Sequence, residues 1–329
     1  MERAEILESL RARGQEQSEL FAAARDVRRQ AFGDQAFVRG VVELTSYCRK
    51  DCTYCAMRLS NRKLERFRAS ADDVMAAAEA IAEAGISTIL LQGGEDVQSD
   101  KVLDAVIPRI KAELGLFIIL NVGERRRERF EQFRALGADS YIMKFESSDP
   151  LLYEQATRSD LAVRLQNLRW LRELGFVVGT GNIVGLPGQT LESIADDLLT
   201  AAEMSSDFVS TSPFIPNGDT PWENQPSGCL ETALNVIAVS RILRPNALVP
   251  AVSALEKVEA GGQLRGLQAG ANVITINFTP DAQRSKYRIY SERRFTVSTE
   301  HAFRILREAG LAHQRRGPLT PPRSEELAV

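Results

Sequence analysis

Cysteine and histidine are scarce in this chain, which limits the structural roles that they can fill. The 329 residues contain four cysteines and two histidines, and both histidines, His301 and His313, lie near the C-terminus. Structural zinc usually requires two separated pairs of Cys or His ligands, and no second pair is present. A disulfide framework is not expected either, because residues 1–5 are charged and no apolar secretory leader follows them.

Long apolar runs and a strong excess of one charge are also missing. No stretch is apolar over the roughly 20 residues that a membrane-spanning helix needs. The net charge of −3 offers no overall basic field for nucleic acid. We therefore expect a cytoplasmic protein whose partners include no nucleic acid and no membrane. The hydrophobic content of 44% is sufficient for one large core.

Three of the four cysteines, Cys48, Cys52 and Cys55, lie within eight residues of one another. Three thiolates can bind three irons of a [4Fe–4S] cluster, which leaves the fourth iron open to another ligand. Cys229 is distant in the sequence and begins a predicted helix, a position that can lower the pKa of a thiol, but we interpret it as an ordinary half-buried thiol. Zinc and unliganded thiols are the alternatives to a cluster at this spacing.

The periodicity of apolar residues predicts an α/β fold. Short β-branched runs predict eight strands, at residues 41–45, 88–92, 117–122, 140–145, 177–184, 208–214, 247–252 and 273–277. Apolar residues at three- and four-residue spacing predict helices between them, among others at residues 72–84, 128–136, 165–174, 194–204 and 230–243. Eight such units are typical of a complete (βα)8 TIM barrel, which we expect over residues 36–312. A helical extension over 1–35 and a flexible tail over 313–329 would flank it, with no second domain.

In a parallel barrel the functional residues lie at the carboxyl ends of the strands. The cysteine loop follows the first predicted strand. Gly93, Gly94 and Glu95 follow the second, where two glycines either expose the backbone to a ligand or form a plain turn. Lys144 and Glu146 follow the fourth and share one face if the strand continues, so they are expected to form an ion pair, a binding site or both.

Three further features have both a functional and a structural interpretation. Arg164 can supply a bidentate group for a carboxylate or can be a solvated helix residue. The charged run at residues 123–129 can contact a phosphate or an acidic partner, but it is expected to be a solvated helix start. The residues after the last strand can cap the barrel, dock a carrier protein or simply pack as a C-terminal segment. They are Tyr287, Tyr290, Arg293, Arg294 and Phe295.

The spacing of Cys48, Cys52 and Cys55, with the aromatic Tyr54 directly before the third cysteine, resembles the signature of radical S-adenosylmethionine (SAM) enzymes. The resemblance implies that SAM chelates the open iron of the cluster. One electron from the reduced cluster would then cleave SAM to methionine and a 5′-deoxyadenosyl radical, which acts on a small substrate.

Further stretches resemble one subgroup of that family. Residues 179–190 read GTGNIVGLPGQT, residues 213–221 read PFIPNGDTP, and residues 270–273 read GANV. These are similar to the subgroup of biotin synthase, the [FeFe]-hydrogenase maturase HydE and methylornithine synthase. The resemblance covers roughly residues 35–290. Whether the reaction is of the transferase, lyase or mutase type stays open.

The resemblance assigns SAM-binding roles to individual residues. They are Gly93, Gly94 and Glu95 for the amino group, Glu146 for the ribose, Arg164 for the carboxylate, and Ile183, Ile215 and the backbone of Tyr54 for the adenine.

For the substrate, Lys144 and Gln92 are the candidate catalytic residues. In HydE the position equivalent to Lys144 carries an arginine that holds an amino-acid carboxylate, so the lysine argues against an identical substrate. Other polar strand-end residues are candidates too, although each can instead complete a buried hydrogen bond. They are Asn182, Ser212, Ser253, Thr275 and Asn277.

Biotin synthase holds a second cluster inside its barrel, whereas the corresponding stretches of this chain contain no cysteine. We therefore expect one cluster, which disfavours direct sulfur insertion. Sulfur insertion of the lipoyl or biotin type stays an alternative, with this chain as one component of a two-component lipoyl synthase beside a sister radical SAM protein. A non-catalytic iron–sulfur scaffold is an alternative of another class. Expected partners are a small-molecule or carrier-bound substrate and a flavodoxin or ferredoxin reductant.

Overall fold

The computed structural model describes residues 1–290 and 294–314 of the chain. The strands are β1 Gln35–Thr45, β2 Thr88–Gly93, β3 Phe117–Asn121, β4 Ser140–Ile142, β5 Val177–Val184, β6 Phe208–Pro213, β7 Val273–Asn277 and β8 Ala312–His313. The helices are α1 Arg3–Arg11, α2 Gly14–Phe32, α3 Ala71–Glu83, α4 Asp100–Arg109, α5 Arg127–Leu136, α6 Pro150–Thr157, α7 Leu161–Glu173, α8 Leu191–Glu203, α9 Leu230–Leu243, α10 Ser253–Val258, α11 Gly262–Gln268, α12 Asp281–Arg284 and α13 Thr299–Glu308. A 3-10 turn, Val97–Ser99, and a π turn, Ile110–Leu114, flank α4.

The fold is α/β, with a parallel sheet that forms a half-barrel. Seven strands pair in the order β6-β5-β4-β3-β2-β1-β7, and every neighbouring pair is parallel. The short β8 pairs with the start of β1, through Gln35 with Ala312 and Ala36 with His313. His313 therefore belongs to the sheet rather than to the expected tail, and residues 315–329 lie outside the described residues.

The seventh predicted strand, 247–252, is not a regular strand. Its residues form only isolated parallel bridges, from Leu248 to Phe208 of β6 and from Pro250 to Val273 of β7. Pro250 has no backbone N–H and interrupts a ladder. The segment nevertheless connects the two edge strands, because Val209 N donates to Leu248 O and Ala251 N donates to the Val273 carbonyl.

The fourth predicted strand, 140–145, ends early, at Ile142. Glu146 adopts the left-handed region with φ 61°, a conformation that costs roughly 1 kcal/mol or more for a residue other than glycine. The chain rejoins β5 beyond this kink, where Glu146 N donates to Gly181 O and Ile183 N donates to Glu146 O. Lys144 and Glu146 therefore follow the sheet on an irregular segment.

The predicted helices are confirmed within four residues at their ends, as α3, α5, α7, α8 and α9. Local capping explains where α3 begins, because Ser70 Oγ accepts from Asp73 N and the Asp73 carboxylate accepts from Ser70 N. The N-terminal α1 and α2 pack against α8 and α9. Asn235 of α9 donates to the carbonyls of Leu10 and Ala12, which fixes the turn between α1 and α2.

Apolar side chains fill the inner face of the sheet at the amino ends of the strands. They are Phe37, Val41, Leu90, Phe117, Ile119, Ile142, Phe208, Leu248 and Val273. A larger core lies between the sheet and the helices. Because the amino ends are filled, the main cavity opens at the carboxyl ends. Among the described helices, none is long and apolar enough to cross a bilayer.

Candidate active site

The cysteine loop follows β1 and is held by arginine. The Arg66 guanidinium donates to four carbonyl oxygens of the loop, those of Ser46, Met57, Arg58 and Asn61, at 2.6 to 3.1 Å. Arg58 in turn donates to Asp51, with Nε 2.9 Å from Oδ1. A loop fixed by this many bonds has its ligands in place before any group binds.

The three thiols line the cavity. Burial raises the pKa of Cys55 to about 12, and it raises the pKa of Cys48 and Cys52 as well. Among the described residues, no group of three His, Cys, Asp or Glu side chains is close enough to hold a single metal ion. Each thiol of a [4Fe–4S] cluster binds a different iron, and iron stabilises the buried thiolates that water cannot reach. These residues therefore fit a cluster better than a single ion.

The segment Gly93, Gly94 and Glu95 packs directly against the cysteine loop. A Cβ on Gly94 would lie 2.1 Å from Tyr47 O and 2.8 Å from Cys48 Cβ, so only glycine fits there. Glu95 N lies 3.3 Å from Cys48 Sγ and donates to it, and the Glu95 carbonyl accepts from Arg49 N. The structure therefore joins two motifs that are separated by about 40 residues in the sequence.

Arg164 lies between two buried carboxylates. Its Nη2 is 3.3 Å from Glu95 Oε1, and its Nε is 3.1 Å from Glu124 Oε1. The same Nε donates a hydrogen bond to the Tyr153 hydroxyl at 3.0 Å. Glu124 also pairs with Lys50 of the cysteine loop, at 2.6 Å. Alternating charges at the cavity wall can receive both the ammonium and the carboxylate of an amino acid.

The expectation that residues 123–129 form a solvated face is wrong for Glu124 and Arg125. Both are buried, and Arg125 Nη2 lies 2.8 Å from Asp100 Oδ1. Sequence reasoning missed Glu124 because an alternating charge run has the same composition whether it faces solvent or a buried partner.

Lys144 and Glu146 line the cavity together and form an ion pair, with Nζ 3.0 Å from Oε2. The contact lacks the geometry of a hydrogen bond, and no described residue donates one to the buried Oε2. Ile183 and Ile215 provide buried apolar walls, and Tyr54 lines the same cavity. An acceptor without a donor beside apolar walls fits a hydroxyl-bearing nucleoside.

The polar strand-end candidates separate into two groups. Gln92, Ser212, Ser253, Thr275 and Asn277 line the cavity. Asn182 does not line the cavity and forms hydrogen bonds with Asp197 and Thr211, which is the second of the two alternatives given for these residues. The glycine at position 181, with φ 155° and Ser210 O against its α-carbon, lets β5 and β6 approach closely there.

Two charged residues of β1 belong to the site but were not among the predicted site residues. Glu43 is fully buried and accepts from Arg294 Nη2 at 2.6 Å and from Asn277 at 3.1 Å. Arg39 lies deeper, where its Nε donates to Thr275 Oγ1 at 2.9 Å. Their signal was present as single charges inside an apolar strand, a placement that is costly unless it is paired or functional.

The C-terminal segment closes one side of the cavity. Tyr287, Tyr290, Arg294 and Phe295 all line it, and Tyr287 is buried. The remaining member of the predicted set, Arg293, lies outside the described residues. Fold and site together define a class of α/β enzyme that binds its reactants at the carboxyl ends of parallel strands, beside a three-cysteine loop.

Comparison with known proteins identifies the family. The Radical SAM superfamily pattern matches residues 42–201. The [FeFe] hydrogenase maturase subunit HydE of Thermotoga maritima is 38% identical over 274 residues, covering 82% of this chain and 78% of that protein. The 3-methylornithine synthase of Methanosarcina acetivorans is 28% identical, also over 274 residues, covering 82% and 77%.

The crystal structure of methylornithine synthase (PylB) shares the fold, with a TM-score of 0.83 at 23% identity over 99% of this chain and 95% of that chain. The chain therefore belongs to the radical SAM superfamily, in the subgroup of HydE, methylornithine synthase and biotin synthase. Membership makes it an enzyme and implies a [4Fe–4S] cluster and SAM.

Proposed function

We propose that this protein reductively cleaves SAM and uses the product radical on a small substrate enclosed by the strands. The observation that carries the proposal is one cavity lined by three cysteines, Gly94, Glu95, Arg164 and Glu146. When bound, the cluster and SAM together supply a 5′-deoxyadenosyl radical, which abstracts hydrogen from the substrate or adds to it. The test is anaerobic reconstitution with iron and sulfide, followed by measurement of 5′-deoxyadenosine after addition of SAM and a reductant.

We also propose that the sheet closes into a complete (βα)8 barrel. The segment 247–252 supports this, because it bridges β6 to β7 and would be the seventh of the eight barrel strands. Leu248 packs in the same inner cluster as residues of the other strands. Closure would exclude water from three sides of the cavity, which protects a radical from side reactions.

Within this site, Cys48, Cys52 and Cys55 would bind the cluster. Glu95 and the backbone of Gly93 and Gly94 would accept the SAM ammonium, and Arg164 would bind the carboxylate. Glu146 would accept from the ribose hydroxyls between Ile183 and Ile215. Lys144, paired with Glu146, and Gln92 face the remaining space, where they would orient the substrate.

Replacement of Glu146 by Gln should weaken SAM binding about tenfold, because a hydrogen bond to a charged acceptor is worth roughly 1.5–3 kcal/mol. Equilibrium dialysis of the reconstituted enzyme with SAM measures the effect. Glu154→Gln, on the exposed face of nearby α6, is the matched control and should bind as the wild type does. An unchanged dissociation constant in Glu146→Gln would remove Glu146 from the SAM site.

The floor of the cavity favours a substrate with an anionic group. Arg39 lines the cavity and is only 6% exposed, its Nη1 has no hydrogen-bond partner among the described residues, and burial lowers its pKa to about 10. No carboxylate in the described part of the chain pairs with it. A buried cation without a counter-ion is costly, so a bound anion would stabilise it.

Arg39→Met should raise the free energy of unfolding by about 1–3 kcal/mol, because it removes a buried cation whose Nη1 lacks a hydrogen-bond partner among the described residues. Small carboxylates such as acetate or glycine should raise the melting temperature of the wild type but not of this variant. Arg307→Met, on the exposed side of α13, serves as the control for loss of charge. Equal stabilisation of wild type and Arg39→Met by carboxylates would contradict an anion site at Arg39.

Two other functions are candidates, sulfur insertion and a non-catalytic iron–sulfur scaffold, and a separate measurement tests each of them. About four irons per chain support the single-cluster enzyme, and about eight support sulfur insertion with a second cluster. Formation of 5′-deoxyadenosine would exclude a non-catalytic scaffold. We further propose a flavodoxin or ferredoxin reductant, a small-molecule or carrier-bound substrate, and a cytoplasmic location, where thiols stay reduced.

A further inference from the structure

Asp197 of α8 is a buried carboxylate outside the cavity. It is 1% exposed, and burial and hydrogen bonds, rather than a neighbouring cation, have the largest influence on it. Burial raises the pKa of Asp197 to about 6, while the hydrogen bonds that it accepts lower it. A carboxylate in such a place is costly unless donors surround it.

One oxygen of Asp197 holds the chain directly after Glu146. Oδ1 accepts from Ser148 N at 2.5 Å, from Ser148 Oγ at 2.7 Å and from Ser147 Oγ at 3.4 Å. Glu146 itself stands in the left-handed region, with φ 61°. A strained residue keeps its conformation only where its neighbours are fixed, and here Asp197 fixes the two residues that follow.

The other oxygen of Asp197 holds the turn after β5. Oδ2 accepts from Asn182 Nδ2 at 3.1 Å and from Gln189 Nε2 at 3.4 Å. Gln189 also donates to Ile183 O, at 2.9 Å, and accepts from Gly185 N, at 2.6 Å. The same carboxylate thus ties the segment of Ile183 to the segment of Glu146.

We infer that Asp197 is a positioning residue that sets the affinity of the enzyme for the nucleoside half of SAM. It does not line the cavity, so it would touch neither SAM nor the cluster, and it acts by holding Glu146, the ribose acceptor, in register with Ile183, the adenine wall. The inference rests on the proposed function. The amino-acid half of SAM meets Arg164 and Glu95, which have no contact with Asp197, so only one half of the ligand should respond to its loss.

Asp197→Asn tests this, because the amide keeps the volume but offers one acceptor and two donors to a site where five donors converge. We expect SAM to bind about tenfold more weakly to the reconstituted variant, in line with the loss of hydrogen bonds to a charged acceptor. In competition with labelled SAM, 5′-deoxyadenosine should lose a similar factor, whereas methionine should compete as it does with the wild type.

Asp196→Asn is the matched control. Asp196 is the preceding residue of α8, is exposed, and pairs with Arg3 at 2.8 Å, so its variant should bind all three ligands normally. Ser148→Ala removes one donor and leaves the carboxylate in place. Ser148→Ala should lose less affinity for 5′-deoxyadenosine than Asp197→Asn loses. It provides the test if Asp197→Asn does not fold.

Equal weakening of 5′-deoxyadenosine and methionine would overturn the inference, since it indicates a general disturbance of the site. Unchanged nucleoside affinity in a folded Asp197→Asn variant would overturn it too. Failure of the wild type to bind SAM would instead count against the proposed function, so the two failures are distinguishable. Melting curves of all variants show which of them are folded.

Discussion

Replacement of any one of Cys48, Cys52 and Cys55 by Ala should abolish formation of 5′-deoxyadenosine from SAM. A cluster held by three thiolates has no spare protein ligand, because Cys229 does not line the cavity and is exposed rather than half-buried as expected. We expect the iron content after reconstitution to fall from about four per chain to less than one. Iron and sulfide analysis, together with the visible absorption of the cluster, measures the loss directly.

Cys229→Ala is the control for this series and should keep both iron and SAM cleavage. Retention of four irons in a Cys52→Ala variant would show that another residue binds the cluster. Loss of iron in Cys229→Ala would show that the fourth cysteine takes part, contrary to its position at the start of α9.

Gly94→Ala should also lose most of its cluster and its SAM cleavage, although no ligand is removed. The added methyl group would overlap the carbonyl of Tyr47 at 2.1 Å and approach Cys48 Cβ to 2.8 Å. The Tyr47 backbone and the Cys48 Cβ leave little room for adjustment, so the cysteine loop would be pushed away from β2. Iron content and the melting temperature separate this local effect from unfolding.

Gly218→Ala is the matched control, because nothing lies within 4 Å of a Cβ there and its φ is not in the left-handed region. It should keep normal iron content and activity. A Gly94→Ala variant with four irons and normal SAM cleavage would mean that the two motifs tolerate separation, and that their packing does not position the cluster.

Much of the fold could be predicted because its signals are local. The period of apolar residues placed the sheet strands and the major helices, and the helix caps agree with it, as at Ser70 and Asp73. The strand at 247–252 and the end of β4 were predicted too regularly. In the first case the missing N–H of Pro250 interrupts a run that looks continuous by hydrophobicity, and in the second β4 ends at Ile142, shortly before the left-handed kink at Glu146.

The candidate site shows the same division. The cysteine spacing and the glycine pair could be found because each lies in one short segment. Glu124, Arg39, Glu43 and Asp197 could not, since each acts through partners far away in the sequence. A charged residue in a strand or helix has the same letter whether it faces solvent or a buried partner, so only its surroundings reveal its role.

The amino-acid sequence alone thus established the three-cysteine loop, the glycine turn and the succession of strands and helices, because these depend on neighbours within a few residues. The tertiary structure alone established that Arg164 lies between Glu95 and Glu124, that Arg39 has no counter-ion among the described residues, and that Asp197 accepts hydrogen bonds from Ser147 and Ser148, which follow Glu146. These contacts join segments that meet only when the parallel strands pair side by side, and their energies depend on burial, which the order of residues does not display.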